Sequence, residues 1–436
     1  MRMNQLEFQR RREQLMAIIG PESVAVIFGA DEVLRNADTH FRFRQNSDFF
    51  YLTGFTEPNA ILVLTPGREE GEVTLFLNPR DPAIEQWVGR RLGPEQASDQ
   101  LGVDVAIDIH EVDKKLPTLF VDRHSLHTLW TAQSRFDERV HKWLHQLKKQ
   151  RKSAPEQIMN LSLSLHELRL KKSKLEQQTM RRAAEITAQA HIRAMKSCKP
   201  GLYEWELDAE IQSEFLAHGA HAPAYPSIVA SGENACIMHY VENSAQLTDG
   251  ALVLIDAGCE FEHYAADVTR TFPVSGMFSQ EQRALYEVVL AAQKAAIAVA
   301  RPGNCFKDPH EASQRKLVEG LIDLGIIKED LDTVIEKHLD RKFLVHGCSH
   351  WLGLDVHDVG AARHKGKSRV LEDGMVLTIE PGAYIPSDDT MKEVDVTWHG
   401  IGIRIEDDVL ITADGNEVLT SGAPKHPDEI ELLMHG

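Results

Sequence analysis

The segment ALVLIDAGCEFEHYAADVTRTFP at residues 251–273 gives the clearest prediction of structure in the C-terminal half of this chain. Its alternation of apolar and polar residues predicts a strand in which Leu254 and Asp256 share one face. Gly258–Glu262 can turn the chain, so Asp267 is expected on a strand that returns beside the first. Two aspartates on paired strands can bridge cations, although either one could instead cap a turn. The stretch therefore predicts an antiparallel pair of strands that carries two carboxylates.

Two glutamates stand in comparable apolar stretches. Glu380 follows the strand pattern of MVLTIEPG, where a Pro-Gly pair ends the strand at once. Glu406 shares a strand face with Arg404 in IGIRIED. A buried salt bridge between Arg404 and Glu406 is the alternative interpretation of that second pattern. Glu380 is thus aimed from a rigid strand end.

The histidine-rich segment HGCSHWLGLDVHDVG spans residues 346–360. The spacing of His346 and His350 suits one face of a helix, but the glycines fit a loop equally well. A lone histidine in such a segment is more often a core or surface residue. Carboxylates on neighbouring strands make His350 a candidate metal ligand instead.

These patterns together indicate one buried site, formed by Asp256, Asp267, His350, Glu380 and Glu406. Charged residues are almost never fully buried unless they are paired or bound to metal. Two divalent cations and one bridging hydroxide would leave the four carboxylates with a single net negative charge, which a protein interior tolerates. The site therefore predicts a dinuclear metallohydrolase.

The ligand types limit the choice of metal. Oxygen-rich ligation with one imidazole suits a fairly hard divalent ion, so Mn²⁺ is the first choice, with Co²⁺, Zn²⁺ or Fe²⁺ as alternatives. A tetrahedral structural zinc site is disfavoured because the cysteines form no cluster. The predicted cofactor is thus two divalent metal ions.

Length and composition indicate a globular protein of two domains. The chain has 436 residues, of which 42% are hydrophobic and 26% charged. Its formal charge of −18 argues against nucleic acid as a partner, because phosphate binding requires a basic surface. No apolar stretch reaches the length of a membrane span, and the N-terminus lacks a signal-peptide core. Five scattered cysteines without a C-x-x-C pair favour a reduced, cytoplasmic setting.

The two halves of the chain differ in their pattern of apolar residues. Apolar runs at 24–28, 60–64 and 73–77 predict buried strands, and a helical pattern recurs around 133–149, which indicates a mixed α/β domain. A long amphipathic helix is expected from about 173 to 197, so the domain boundary is placed near residue 172. The second half predicts an α+β domain with an antiparallel sheet.

Six motifs of the chain closely resemble one enzyme family, aminopeptidase P (the Xaa-Pro aminopeptidases). They are FRFRQNSDFFYLTGF at 41–55, SGENACIMHYVEN at 231–243, DAGCEFEHYAADVTRTFP at 256–273, HGCSHWLGLDVHDVG at 346–360, TIEPGAY at 378–384 and GIRIEDDVLIT at 402–412. The resemblance covers both halves of the chain and shows no departure at the five proposed ligand positions. The family belongs to the pita-bread metallopeptidases.

The resemblance implies a creatinase-like α/β N-terminal domain over residues 1–172 and an α+β pita-bread catalytic domain over 173–436. It implies a metal-dependent exopeptidase that releases the N-terminal residue from peptides with proline in the second position. A hydroxide that bridges the two metals would attack the first carbonyl carbon. One metal would also take the free α-amine of the substrate, which would explain an aminopeptidase rather than an endopeptidase.

The resemblance also implies a role for each metal ligand. Asp267 and Glu406 would bridge both metals. Asp256 would hold one metal, while His350 and Glu380 would hold the other. Glu380 would also carry a proton from the water to the proline nitrogen, which must gain a proton before it leaves.

Other positions would contact the substrate. By resemblance, His239 and His357 would donate hydrogen bonds to the carbonyl or the tetrahedral intermediate. His239 lies in the strand-like IMHYV, so an ordinary inward-facing histidine is the alternative. His346, Tyr384 and Arg404 match the family's proline-side pocket, although Arg404 could equally hold the bridging glutamate in place.

Trp87, in IEQWVGRRLG, matches a family aromatic that can reach the active site of a neighbouring subunit. The resemblance therefore implies a homotetramer, built as a dimer of dimers. Ordinary packing of an amphipathic helix is the alternative for Trp87.

Two rival functions are compatible with the same motifs. A prolidase, which cleaves Xaa-Pro dipeptides, is the nearest competitor. A catalytically silent binding protein on the pita-bread fold is the other, but such relatives typically lose metal ligands and this chain keeps all five. Creatinase shares the fold without the ligands, and methionine aminopeptidases usually lack the N-terminal domain.

Overall fold

The computed structural model describes residues 4–130 and 134–436. The chain separates into two compact units, one ending at Arg169 and the other spanning Leu170–Gly436. Within the described ranges, no helix combines the length and the hydropathy needed to cross a bilayer.

A mixed sheet organises the N-terminal unit. The described strands are β1 (Ser23–Phe28), β2 (Leu34–Asn36), β3 (Thr39–His40), β4 (Ile61–Leu64), β5 (Val73–Leu77), β6 (Val105–Asp108), β7 (Ser125–Thr128) and β8 (Gln157–Asn160). Of these, the sheet has the order β6-β5-β4-β1-β7-β8. Strand β1 runs antiparallel to β4 and parallel to β7, and all its residues are buried. The three strands predicted in this half are confirmed to within one residue.

Helices precede, separate and follow these strands along the chain. They are α1 (Gln5–Ile19), α2 (Ser47–Thr53), α3 (Pro82–Val88), α4 (Pro94–Leu101), α5 (Val112–Lys115), α6 (Ser134–Lys149) and α7 (Ser162–Leu170). The helix predicted around 133–149 is observed from Ser134, and residue 133 lies outside the described residues. Trp143 of α6 is fully buried, and its ring centroid lies 6.3 Å from those of Phe28 and Phe120. The unit therefore has an apolar core of its own.

The C-terminal unit contains short antiparallel sheets. Its described strands are β9 (Ala222–Pro223), β10 (Ile228–Ser231), β11 (Leu252–Asp256), β12 (Cys259–Phe261), β13 (Tyr264–Ala265), β14 (Thr269–Pro273), β15 (Arg363–His364), β16 (Lys367–Ser368), β17 (Val376–Ile379), β18 (Gly382–Ile385), β19 (Ile401–Arg404), β20 (Asp407–Thr412) and β21 (Gly415–Val418). They pair as β10-β11-β14, β13-β12-β9, β17-β20-β21, β18-β19 and β15-β16. The antiparallel pairing is as predicted, but it is divided among several sheets. One division falls at Pro381, which cannot donate a ladder hydrogen bond and separates β17 from β18.

The turn predicted at Gly258–Glu262 lies elsewhere. Residues Cys259–Phe261 pair as β12 with β13, and the chain reverses at Glu262 and His263, whose φ angles are 49° and 69°. This extra hairpin places Asp267 two residues before β14 rather than on it. The prediction failed because a glycine marked the close approach of two segments and not the turn itself.

Six described helices complete the C-terminal unit: α8 (Lys174–Ser197), α9 (Glu204–Ala217), α10 (Gln280–Val299), α11 (Asp308–Asp323), α12 (Leu331–Glu336) and α13 (Pro427–His435). Helix α8 confirms the predicted long helix, and a capping box of Ser173 and Glu176 defines its start. Its buried face is rich in alanine and shares one apolar cluster with Val253 and Ile255 of β11. Helix α8 thus belongs to the same core as the strand that ends in Asp256.

Candidate metal centre and active site

A cavity of about 670 Å³ opens in the C-terminal unit. Nine of the residues selected from the sequence line it: His239, Asp256, Asp267, His346, His350, His357, Glu380, Arg404 and Glu406. Tyr384 is fully buried and is hydrogen-bonded to two of these nine. Side chains from distant parts of the sequence therefore meet in one place.

The two aspartates approach each other because their segments do. Asp256 ends β11 opposite Thr269 of β14, and Asp267 comes just before β14. Gly258 allows this close approach, since a Cβ at that position would lie 1.7 Å from the carbonyl oxygen of Ala266. A larger residue at position 258 would push the two carboxylate-bearing segments apart.

The two glutamates follow strand ends. Glu380 comes directly after β17, and Glu406 lies between β19 and β20. The backbone N–H of Glu406 donates to the Thr269 carbonyl at 3.1 Å, and Thr269 Oγ1 donates to Glu406 Oε2 at 2.7 Å. The start of β14 therefore fixes both the backbone and one carboxylate oxygen of Glu406.

His350 lies in an irregular loop, which is one of the two conformations its sequence allowed. Its backbone N–H donates to Thr378 Oγ1 at 3.1 Å, and its Nδ1 lies 3.0 Å from the Trp351 carbonyl oxygen. A proton on Nδ1 satisfies that carbonyl, so Nε2 is the nitrogen that would ligate a metal once its own proton is lost. Nε2 lies 3.4 Å from Asp267 Oδ2 and 3.7 Å from Glu380 Oε1.

Burial makes the acidic side chains of the cavity costly to ionise. Burial raises the pKa of Asp267 and the pKa of Glu406 above their usual values, and it raises the pKa of Glu380 to about 8. Burial alone would lower the pKa of His350, but the Asp267 carboxylate outweighs it and raises that pKa to about 9. Ionising all of these carboxylates together is therefore costly without additional positive charge.

The donor atoms fit a divalent cation. One ligand atom each from Asp267, His350 and Glu406 lie within 4.8 Å of one another. In the part of the chain that the structure describes, Glu406 Oε1 is buried without a hydrogen-bond partner, although buried acceptors are normally satisfied. An open carboxylate oxygen beside a second carboxylate and an imidazole nitrogen is a donor set that hard or borderline divalent ions accept.

Tyr225 is a cavity residue that the sequence did not indicate. Its hydroxyl oxygen lies 2.6 Å from Asp256 Oδ1 and 2.5 Å from Asp267 Oδ1. Burial, reinforced by the neighbouring carboxylates, raises the pKa of Tyr225 well above its usual value. Its local sequence, HAPAYPSIVA, has no metal-ligand spacing, so only the tertiary fold brings this hydroxyl between the aspartates.

A buried hydrogen-bonded chain borders the acids. Arg404 donates from Nη2 to Asp256 Oδ2 at 2.6 Å, from Nη1 to Tyr384 Oη at 2.9 Å and from Nε to Thr269 Oγ1 at 3.0 Å. Tyr384 Oη in turn lies 2.7 Å from His346 Nε2. The ion pair of Arg404 is thus with Asp256 rather than the alternative pairing with the neighbouring glutamate. Burial lowers the pKa of His346 to about 4, so this imidazole is neutral at pH 7.

The remaining two histidines line the cavity from irregular segments. His239 lies in a turn and is exposed, so the predicted strand IMHYV and its inward-facing histidine are both wrong. A 3₁₀ turn at Gly232–Cys236 and the following turn interrupt the strand pattern. The ring of His357 lies 4.4 Å from that of His350, edge to face, and burial lowers the pKa of His357.

Trp87 lies on α3 of the N-terminal unit. It is 89% exposed, and none of the residues of α3 is buried. Packing of this helix within its own unit therefore does not account for the tryptophan. Its contact with another subunit remains a prediction.

Comparison with known proteins identifies the family of both units. Residues 178–413 match metallopeptidase family M24, and residues 8–130 match the aminopeptidase P N-terminal domain. The Xaa-Pro aminopeptidase of Escherichia coli strain K12 is 48% identical over 435 residues, which cover 98% of this chain and 97% of that protein.

Solved structures agree with this assignment. Aminopeptidase PepP of Pseudomonas aeruginosa is similar with a TM-score of 0.97 and 48% identity, covering 100% of this chain and 98% of that one. Zinc-substituted E. coli aminopeptidase P in complex with product gives a TM-score of 0.96 at 46% identity, with coverages of 100% and 99%. The predicted combination of a creatinase-like N-terminal domain and a pita-bread C-terminal domain is thereby confirmed. The chain belongs to metallopeptidase family M24 and carries the aminopeptidase P N-terminal domain ahead of its M24 domain.

Proposed function

We propose that this cavity is the active site of an Xaa-Pro aminopeptidase, which releases the N-terminal residue from peptides with proline in the second position. One observation carries the proposal: buried acids from separate strand ends meet an imidazole in a cavity that is large enough for a short peptide. The full-length similarity to Xaa-Pro aminopeptidases supports the same activity.

The metal ligands that we propose are Asp256, Asp267, His350, Glu380 and Glu406. Two divalent cations held there would supply a hydroxide nucleophile near neutral pH, because metal binding lowers the pKa of water from 15.7 to about 7. Mn²⁺ is the proposed ion, since the ligand set is rich in oxygen and holds a single imidazole.

Glu380 is proposed to take up the proton of the attacking water and deliver it to the proline nitrogen. Its carboxylate lines the cavity and directly follows β17, so the strand limits its movement. The Xaa-Pro bond is a tertiary amide, whose nitrogen leaves readily only when it is protonated. A residue that can hold and then release a proton is therefore required at this position.

His239 and His357 are proposed to donate hydrogen bonds to the carbonyl oxygen as it becomes negative. Both histidines line the cavity and come from different loops. Hydrogen-bond donors placed where charge develops stabilise the transition state more than the ground state.

The proline side of the substrate is proposed to contact His346, Tyr384 and Arg404. The hydrogen bonds that join these three side chains, at 2.7 Å and 2.9 Å, keep their positions fixed before the substrate binds. Arg404 also holds Asp256, so it serves both the proposed pocket and a proposed metal ligand.

Three peptides test the proposed activity. The Mn²⁺-loaded protein is expected to release arginine mainly from Arg-Pro-Pro, and less from Arg-Pro and Arg-Ala-Ala. Cleavage of Arg-Pro alone would indicate a prolidase, which the comparisons do not favour. No cleavage with two metals bound would indicate a silent binding protein, and preferred cleavage of Arg-Ala-Ala would remove the proline pocket from the account.

Three features of the whole protein are also proposed. It would form a homotetramer, a dimer of dimers, in which the exposed Trp87 reaches a neighbouring active site. Its five cysteines, all within the described residues, are free thiols, which supports a reducing, cytoplasmic setting. The domain limits 1–172 and 173–436 are supported by the capping box at Ser173, and limited proteolysis would test them.

A further inference from the structure

Glu204, the first residue of α9, is a buried carboxylate that the proposed chemistry does not use. Its side chain is 0% exposed. Oε1 accepts from Ser231 N at 2.7 Å, from Ser231 Oγ at 2.8 Å and from Asn234 Nδ2 at 3.2 Å. Oε2 accepts from Tyr240 Oη at 2.9 Å and from Ala245 N at 2.8 Å. Five hydrogen bonds thus offset the cost of burying this charge.

All four partner residues belong to one segment, 231–245, which carries His239. The segment leaves β10, passes through the 3₁₀ turn at Gly232–Cys236 and has no regular structure around His239. Glu204 contacts it at its beginning, at its end and at Tyr240, the residue after His239. A short loop held at these three points has little freedom to move the histidine that it carries.

His239 itself is exposed and lies in a turn at the cavity wall. Tyr240, by contrast, is 8% exposed and packs in an apolar cluster with Tyr384. The orientation of His239 therefore depends on how its buried neighbour is held.

We propose that Glu204 is a positioning residue, which holds His239 at the cavity wall through Tyr240 and the two ends of segment 231–245. The inference rests on the proposed function for the role of His239 in turnover. It goes beyond that function because Glu204 lies outside the cavity and acts on substrate only through the loop.

We call the hydrogen bonds between Glu204 and segment 231–245 the clamp. The variant Tyr240→Phe tests the clamp with a small change, since it removes one hydroxyl and keeps the buried ring. Loss of that hydrogen bond is expected to lower kcat on Arg-Pro-Pro about five- to tenfold, with KM within about twofold of wild type. Tyr51→Phe is the matched control: it removes a hydroxyl that donates to the Leu168 carbonyl at 3.1 Å in the N-terminal unit. The control is expected to leave kcat unchanged.

A double-mutant cycle separates positioning from general stability. Glu204→Gln and Tyr240→Phe should each lower kcat in the wild-type background and have no further effect on kcat in a His239→Ala background. Equal losses in both backgrounds would overturn the proposal, because they would show that Glu204 does not act through His239. Unchanged kcat in both single variants, with the fold intact by circular dichroism, would overturn it as well.

Backbone hydrogen exchange tests the clamp independently of enzyme activity. Backbone amides of residues 231–245 are expected to exchange faster in Glu204→Gln, while the amides of β11 keep their wild-type protection. Unchanged exchange in 231–245 would overturn the clamp even in an active enzyme. An inactive wild-type protein with faster exchange in the variant would instead refute the proposed function and retain the clamp.

Discussion

Glu406 and Asp407 are consecutive in the chain and equally buried, yet the protein treats their charges in opposite ways. Asp407 accepts hydrogen bonds from Arg270, Gln293, Thr420 and Lys425. Burial alone would raise the pKa of Asp407, but the charges of Arg270 and Lys425 outweigh it and hold that pKa at about 2. Here the protein supplies its own cations.

Glu406 faces the cavity, and the protein provides it with much less. Its Oε2 accepts from Thr269, while among the described residues its Oε1 has no hydrogen-bond partner. Burial raises its pKa, and the neighbouring acids raise it further. The carboxylate of Asp407 is therefore neutralised by two cations of the protein, whereas we propose that the carboxylate of Glu406 is neutralised by metal ions.

The largest expected effect is on turnover. Glu380→Gln keeps the size of the side chain but removes its ability to carry a proton, so kcat on Arg-Pro-Pro should fall at least about a thousandfold. The circular dichroism spectrum should stay close to wild type, and the variant is assayed at saturating Mn²⁺ with its metal content verified, because Glu380 is also a proposed metal ligand. Near-wild-type activity in a metal-loaded variant would remove Glu380 from the mechanism.

In the metal-free protein, substitutions around Asp407 and at Glu406 should affect the free energy of unfolding in different ways. Arg270→Met leaves Asp407 buried with a lost ion pair and should lower the free energy of unfolding by about 3–5 kcal/mol. Glu406→Gln removes a buried charge that lacks a compensating partner, so the metal-free variant should be as stable as the metal-free wild type or more stable. Urea denaturation after chelation measures both, and a large destabilisation by Glu406→Gln would contradict the comparison.

The pH dependence of stability follows from the low pKa of Asp407. A folded-state pKa of about 2, below the unfolded value near 3.9, gives stability that is present at pH 7 and is lost as the pH falls through about 4 towards 2. The stability difference between wild type and Asp407→Asn should therefore shrink by about 2 kcal/mol over that range. Denaturation curves at several pH values would show it, and a constant difference would contradict it.

A smaller effect is expected for Thr269, whose hydroxyl is hydrogen-bonded to both Glu406 and Arg404. Thr269→Val keeps the branched shape but removes the hydroxyl that donates to Glu406 and accepts from Arg404. Metal affinity should weaken about tenfold, as is usual when the hydrogen-bond partner of a metal ligand is lost. Calorimetric titration with Mn²⁺ measures this change. Thr271→Val, whose hydroxyl bonds the backbone of Arg404, serves as the control on the same strand.

Sequence reasoning reached the strands and the acidic residues because both leave local signals. Asp256 and Glu380 stand at the ends of apolar runs, where a charge is unusual enough to be noticed. The same reasoning missed Tyr225, since its partners lie 31 and 42 residues away. It also misplaced the turn near Gly258 and assigned His239 to a strand. These errors concern tertiary contacts, which no local pattern encodes.

The ion pairs of Asp407 could not be predicted from the sequence either. Arg270 reaches it across 137 residues, and the neighbouring motif IGIRIEDDV does not distinguish its second acid from its first. Only the opposite orientations of Glu406 and Asp407 at the strand end determine which carboxylate meets a cation of the protein. The family resemblance supplied the proposed roles that local chemistry left open.

A metal titration coupled to activity tests whether the cavity needs two divalent cations to act. Metal-free protein, verified by elemental analysis, should be inactive on Arg-Pro-Pro. Mn²⁺ should bind at two equivalents per chain, and activity should return in step with binding. Full activity in verified metal-free protein would contradict this requirement. Mn²⁺ binding that saturates without restoring activity would contradict it as well.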